Sequence, residues 1–166
     1  MKRTVIIIAA GAAIAAGLAF ARPFETPTSS PAAVEPPQTV LYGHISTMTR
    51  TGRGFELKFD PAWWLTGVAA ERAKLEDTGS RDVPNDYYVV EEGHRLLTFV
   101  VPADARVTVL TNGTESTRIS AGELAQIVEG RNPNQRDLSQ PKGGFWVRIA
   151  AEYPSPAVTL DQQYQP

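Results

Sequence analysis

The sequence predicts an α+β fold, mainly antiparallel in its sheet, arranged as a small, partly closed barrel with two short helices. Three observations carry that expectation. Short runs of β-branched and aromatic residues alternate with polar ones along much of the chain after residue 38. Turn signals punctuate these runs, and Asn112-Gly113 is the strongest of them. The strand–helix–strand rhythm of a parallel doubly wound sheet does not occur. An OB-like barrel is the nearest named architecture, by analogy alone.

The elements follow in order. Val40 to Thr49 reads as a strand, with Gly43 as a bulge position. After the turn containing Gly52 and Gly54, Phe55, Leu57 and Phe59 alternate with Glu56 and Lys58, which makes the second arm of a hairpin. Asp60-Pro61 has the residue types of an N-cap and a first helical position, so a helix is expected from Pro61 toward Asp77. It breaks at Thr66-Gly67, where Thr66 caps a second piece that ends before Gly79. Trp63 and Trp64 would then point about 100° apart on a helix, so at least one misses the core.

Asp86 to Glu91, Arg95 to Val101 and Ala105 to Thr111 read as further strands, the first two joined by a turn through Gly93 and His94. Ser120 and Glu123 have the spacing of a capping box, followed by Leu124, Ile127 and Val128 at helical spacing and Gly130 as a stop. Asn132 to Gly144 is polar, with Pro and Gly, and is expected to be the most mobile loop. Phe145 to Tyr153 alternates as a long strand, and Val158, Leu160 and Tyr164 belong to the last. The result is about seven strands and two helices. Phe55, Leu57, Phe59, Leu65, Val89, Val109, Ile127, Val147, Ile149 and Leu160 are expected to share one core.

The chain before residue 39 has a different character. Lys2 and Arg3 precede an uncharged run from Thr4 to Ala21 that ends in Ala19-x-Ala21, the layout of a signal peptide. Its 18 positions would form a helix of about 27 Å, long enough for an uncleaved membrane anchor as the alternative. Residues 22–38 hold five of the 13 prolines and read as a flexible spacer. Residues 39–166 remain as a single globular β-rich domain. The expected location is extracytoplasmic, secreted or anchored at the outer face of the cytoplasmic membrane, with membrane contact only through residues 4–21 if they are retained.

Composition narrows the chemistry. Without Lys2 and Arg3 the chain has 14 basic and 18 acidic side chains, a formal charge of −4, which argues against nucleic acid as a partner. Cysteine is absent, so thiol catalysis, disulfides, thiolate metal sites and lipobox acylation are excluded. The two histidines, His44 and His94, lack metal-ligand spacing, and no Gly-x-Ser-x-Gly elbow or phosphate-binding glycine loop occurs. Glu76-Asp77 and Glu91-Glu92 are adjacent acids, a pattern of solvated turns rather than of a glycosidase pair. Asp77, Asp82, Asn85 and Asp86 cluster oxygen ligands without the spacing of an EF-hand loop. No catalytic residue, metal ligand or cofactor is expected.

Three segments resemble a known group. They are Phe59-Asp60-Pro61-Ala62-x-Trp64-Leu65-Thr66-Gly67, Val83-Pro84-Asn85-Asp86-Tyr87-Tyr88, and the tail from Val158 through Gln162-Gln163-Tyr164 to Pro166. The chain resembles exported proteins and lipoproteins, chiefly of Gram-positive bacteria of high G+C content, that share these segments and have no assigned activity. The resemblance implies export and carries no catalytic residues. Lipidated members have a lipobox cysteine, which this chain lacks.

The expectation for function is an exported, non-enzymatic binding or interaction module of the cell envelope, with a saccharide or a protein as partner. Trp63, Asn85, Asp86 and Tyr88 are the candidate ligand-binding residues, because aromatic faces beside amide and carboxylate groups suit such ligands. The alternatives are an envelope-acting hydrolase or transferase using dispersed carboxylates, and a secreted modulator of another protein.

Overall fold

The computed structural model describes residues 38–91, 93, 95–140, 143–151 and 155–166. The signal, anchor and spacer expectations for residues 1–37 lie outside them, as do those for His94 and Tyr153. The fold is α+β. Its strands are β1 (Thr39–Thr51), β2 (Gly54–Thr66), β3 (Tyr87–Glu91), β4 (Leu97–Val101), β5 (Arg106–Thr111), β6 (Glu115–Ile119), β7 (Phe145–Ile149) and β8 (Ala157–Gln162). Helix α1 (Gly67–Thr78) follows β2, and α2 (Ala121–Val128) follows β6.

All strands join one sheet in the order β3-β2-β1-β7-β8-β5-β6, with β4 also paired to β2. Every pairing is antiparallel except that of β5 with β8. The sheet is open: β3 and β6 stand at its ends and do not pair, so the expected barrel and its OB-like analogy do not hold. Closure requires two compatible end strands. Here α1 packs against β3 at one end, and β6, Glu-Ser-Thr-Arg-Ile, is a polar strand at the other. That polarity also hid β6 in the sequence, because only Ile119 in it is buried.

The Asp60-Pro61 helix start is overturned. Strand β2 continues through both residues, which face His44 and Gly43 on β1. Pro is tolerated there because β4 pairs with Phe55–Phe59 and β3 with Ala62–Thr66, leaving Asp60 and Pro61 between the two ladders. The helix begins only at Gly67, with Thr66 as its N-cap and Gly79 closing it through an N–H···O bond of 2.9 Å to Leu75. The register irregularity of β1 falls between Ile45 and Thr47, not at Gly43. Gly43 is instead required by a close crossing of β1 and β2.

One face of the sheet, covered by α2, forms the core. Phe55, Leu57, Phe59, Val109, Ile127, Val147, Ile149 and Leu160 are all in it, joined by Met48, Phe99 and Leu124. Leu65 and Val89 are half-buried and lie outside it, because β2 has no β1 partner beyond Ala62.

Helix α2 has the expected Ser120 cap, whose hydroxyl accepts from the Glu123 N–H at 3.1 Å. The Glu123 carboxylate, however, does not complete a capping box. It is buried and takes the Arg136 guanidinium in a two-point contact. This contact anchors the first part of the Asn132 to Gly144 loop, where Asn132 also brackets the Arg136 backbone and Ser139 N–H is bonded to Leu110 C=O at 3.0 Å. Pro141 and Lys142 lie outside the described residues.

The hydrogen bonds from Arg136 hold the Glu123 carboxyl below the ordinary carboxylate range, against the opposing effect of burial. A lowered folded-state value adds stability above the unfolded-state value, and that stability is lost as pH falls through the folded-state value. Glu123→Gln is therefore expected to cost about 1–3 kcal/mol at neutral pH, reduced by the partial solvent access of Arg136. The difference from wild type should close in acid. Urea unfolding of both proteins across the acid limb checks this, and a gap that is constant with pH would contradict it.

Candidate functional site

Because β2 replaces the expected helix, Trp63 and Trp64 point to opposite faces of the sheet. Trp64 stacks on Tyr87, with ring centroids 4.0 Å apart and planes 10° apart, and meets the ring of Tyr42 at 5.0 Å. Trp146 joins the same group, 5.0 Å from Tyr42. The C-terminal tail satisfies the polar ends of this stack. Gln165 donates to the Tyr42 hydroxyl at 2.9 Å, and Trp146 Nε1 donates to Gln163 Oε1 at 2.8 Å. Burial, followed by the nearby Glu91 carboxylate, pushes the Tyr42 hydroxyl up to about 12. A hydroxyl so placed stays protonated and serves as a packing group, not as a base.

Trp63 has the opposite fate. It stands 58% exposed near the C-terminal end of β2, just past the last pair with β1. It borders an apolar recess of about 450 Å³ whose walls include Val40, Pro61, Arg95 and Leu97 and, from the aromatic group above, Tyr42, Trp64 and Trp146. Among the described residues Arg95 is the one charged residue in that lining. Val40 and Leu96 add exposed apolar surface nearby in the chain segments that form the recess. An indole face, aliphatic walls and one guanidinium can hold a ligand by stacking and a directional hydrogen bond.

A second recess, of about 530 Å³, runs between α1 and β3 and is lined by Ala73, Glu76, Asp77 and the run Tyr88–Glu91. The Tyr88 hydroxyl donates to Asp77, which raises the hydroxyl's pKa, and Lys74 lies 5.3 Å from the centre of its ring. Each acid in this recess has a partner: Asp77 has Tyr88, Glu91 has His44 at 3.4 Å, and Glu76 has Arg72 at 3.9 Å.

The four expected site residues are therefore only partly gathered. Trp63 pairs with Val90 and Leu65 with Tyr88, so Trp63 and Tyr88 lie diagonally on one face of the β2–β3 ribbon. Each lines a different recess. Asn85 and Asp86 are exposed in the short 3₁₀ turn Pro84–Asp86 that precedes β3, with left-handed φ values of 62° and 58°, and line neither recess. Among the described residues no group of three or more acids and histidines is placed to hold a metal ion. Sequence reasoning missed Val40, Pro61, Arg95 and Leu97, which come from separate strands and their flanks; only the sheet topology unites them.

Comparison with protein-family models, with curated proteins and with solved structures returned no match.

Proposed function

We propose that the domain is an extracytoplasmic, non-enzymatic binding module of the cell envelope that holds a saccharide or protein component at the Trp63 recess. The observation that carries this reading is the exposure of Trp63. A large indole left more than half exposed beside an apolar recess contributes little to the core, whereas its neighbour Trp64, on the same recess, packs on Tyr87. Arg95 supplies a directional donor for a hydroxyl, carbonyl or carboxylate of the bound group. The residues of the N-terminal region support the address, since their layout is that of an exported chain.

The test is cosedimentation of the purified domain with cell-wall glycan and, separately, with envelope protein. Trp63→Ala is expected to leave the urea midpoint nearly unchanged and to weaken association at least about tenfold. Equal association by the variant and the wild-type domain would refute this reading. The fraction that binds distinguishes a saccharide from a protein.

A further inference from the structure

We propose that the outer edge of β3, flanked by α1, takes an extended basic peptide segment as an added strand. The argument starts from topology. Among the described residues β3 is a terminal strand of the sheet and its ladder partner is β2 alone. In an antiparallel ladder, alternate residues turn their N–H and C=O groups away from the partner strand, so β3 carries a row of outward backbone groups. The recess beside it is lined by four consecutive residues, Tyr88–Glu91, so the strand itself forms one wall along its length. Ala73, Glu76 and Asp77 form the other wall, at i, i+3 and i+4 on one face of α1. A helix lying alongside a free strand edge with open space between is the geometry that strand addition requires.

The sequence of β3 adds to this. Edge strands are ordinarily guarded by lysine, proline, a bulge, shortness or a covering helix. β3 is short and α1 packs against it, but a recess stays open between them. Tyr-Tyr-Val-Val-Glu has neither lysine nor proline, and its pairing with β2 is unbroken from Tyr87 to Glu91. The opposite edge strand, β6, is polar and includes Arg118.

Charge sets the partner. Glu76, Asp77 and Glu91 line the recess, and among the described residues no Lys, Arg or His does. Arg72 and His44, which pair with Glu76 and Glu91, lie outside the lining. The Tyr88 hydroxyl on Asp77 is neutral, and Lys74 stands 5.3 Å from the centre of the Tyr88 ring, so a basic occupant competes with Arg72 and Lys74 for these carboxylates. An extended segment with Lys or Arg at alternate positions places main-chain groups on β3 and cations on these acids. A second copy of β3 would bring like charge to like charge, which disfavours pairing of two copies through this edge.

The probe is a synthetic hexapeptide alternating Lys and Val, titrated into the domain with amide NMR and hydrogen exchange as readouts. Binding is expected to shift and protect amides of Tyr88–Glu91 and to weaken as salt is raised. N-methylation of alternate peptide amides, which keeps the charge and removes strand donors, is expected to weaken binding at least about tenfold. The same loss is expected for Ala73→Arg, which fills the recess with like charge, and a smaller loss for Glu76→Gln; urea unfolding verifies that both variants fold. Binding unaffected by N-methylation, equal binding of a Glu–Val hexapeptide, or sedimentation as a dimer joined through β3 would each overturn the proposal.

Discussion

Gly43→Ala is expected to destabilise the domain by about 3 kcal/mol or more, enough to leave much of it unfolded in mild denaturant. A β-carbon at this position would lie 2.0 Å from the Asp60 carbonyl oxygen and 2.8 Å from the Pro61 Cα. Both contacts are with backbone, so no side-chain rotation relieves them. Retreat is blocked on the β1 side, where Gly43 pairs with Phe145 of β7. On the β2 side, Phe59 is held by Leu97 and Ala62 by Glu91, which brackets the two crowded residues. Gly52→Ala is the control. Nothing lies within 4 Å of a β-carbon there, and a change within about 0.5 kcal/mol is expected. Urea unfolding of the two variants checks the pair, and equal midpoints would show that the β1–β2 crossing is not close.

Phe59→Ala is expected to cost about 3–5 kcal/mol and to lower the melting temperature by more than about 10 °C. Phe59 is fully buried and meets Phe99 edge-on, with ring centroids 6.0 Å apart. Both rings are carried by paired strands, β2 and β4, so the cavity cannot close by a loop movement. Leu65→Ala, on the same strand but outside the core, should cost clearly less. A Phe59→Ala cost no larger than that of Leu65→Ala, measured by the same unfolding, would mean that the core is centred elsewhere.

Much of the fold was legible because it rests on residues a few positions apart. Phe55, Leu57 and Phe59 alternate, and all three are core residues. Asn112 and Gly113 adopt positive φ and join β5 to β6 as their types require. Ser120 caps α2, and Gly79 ends α1. In each case the governing interaction closes within one turn or one strand, so neighbours in sequence contain it.

The candidate site was legible only in its residue types. An exposed tryptophan was expected beside its buried neighbour, yet a helix was to separate the two, whereas strand alternation does so. Asn85 and Asp86, close to Tyr88 in sequence, end in an exposed turn outside both recesses, because β3 begins after them. The Trp63 recess draws on β1, β2, β7 and β4 with the residue leading into it, and no local pattern encodes that meeting.

Local chemistry alone settled that this chain forms mainly antiparallel strands with two helices, though not where the first helix begins nor that β6 exists. It also settled, through its lack of cysteine, which thiol and metal chemistries are closed to it. Tertiary structure decided three further matters. Asp60-Pro61 has the residue types of a helix start, but pairing with His44 and Gly43 keeps it in a strand, since a whole ladder outweighs one cap. Glu123 has the spacing of a capping box, yet a distant guanidinium, Arg136, offers it a charged partner that the backbone N–H cannot match. Whether the sheet closes depends on its two end strands, and neither β3 nor β6 indicates locally what will stand beside it. Propensity and capping act between neighbours in sequence, while pairing, burial and charge compensation act between neighbours in space.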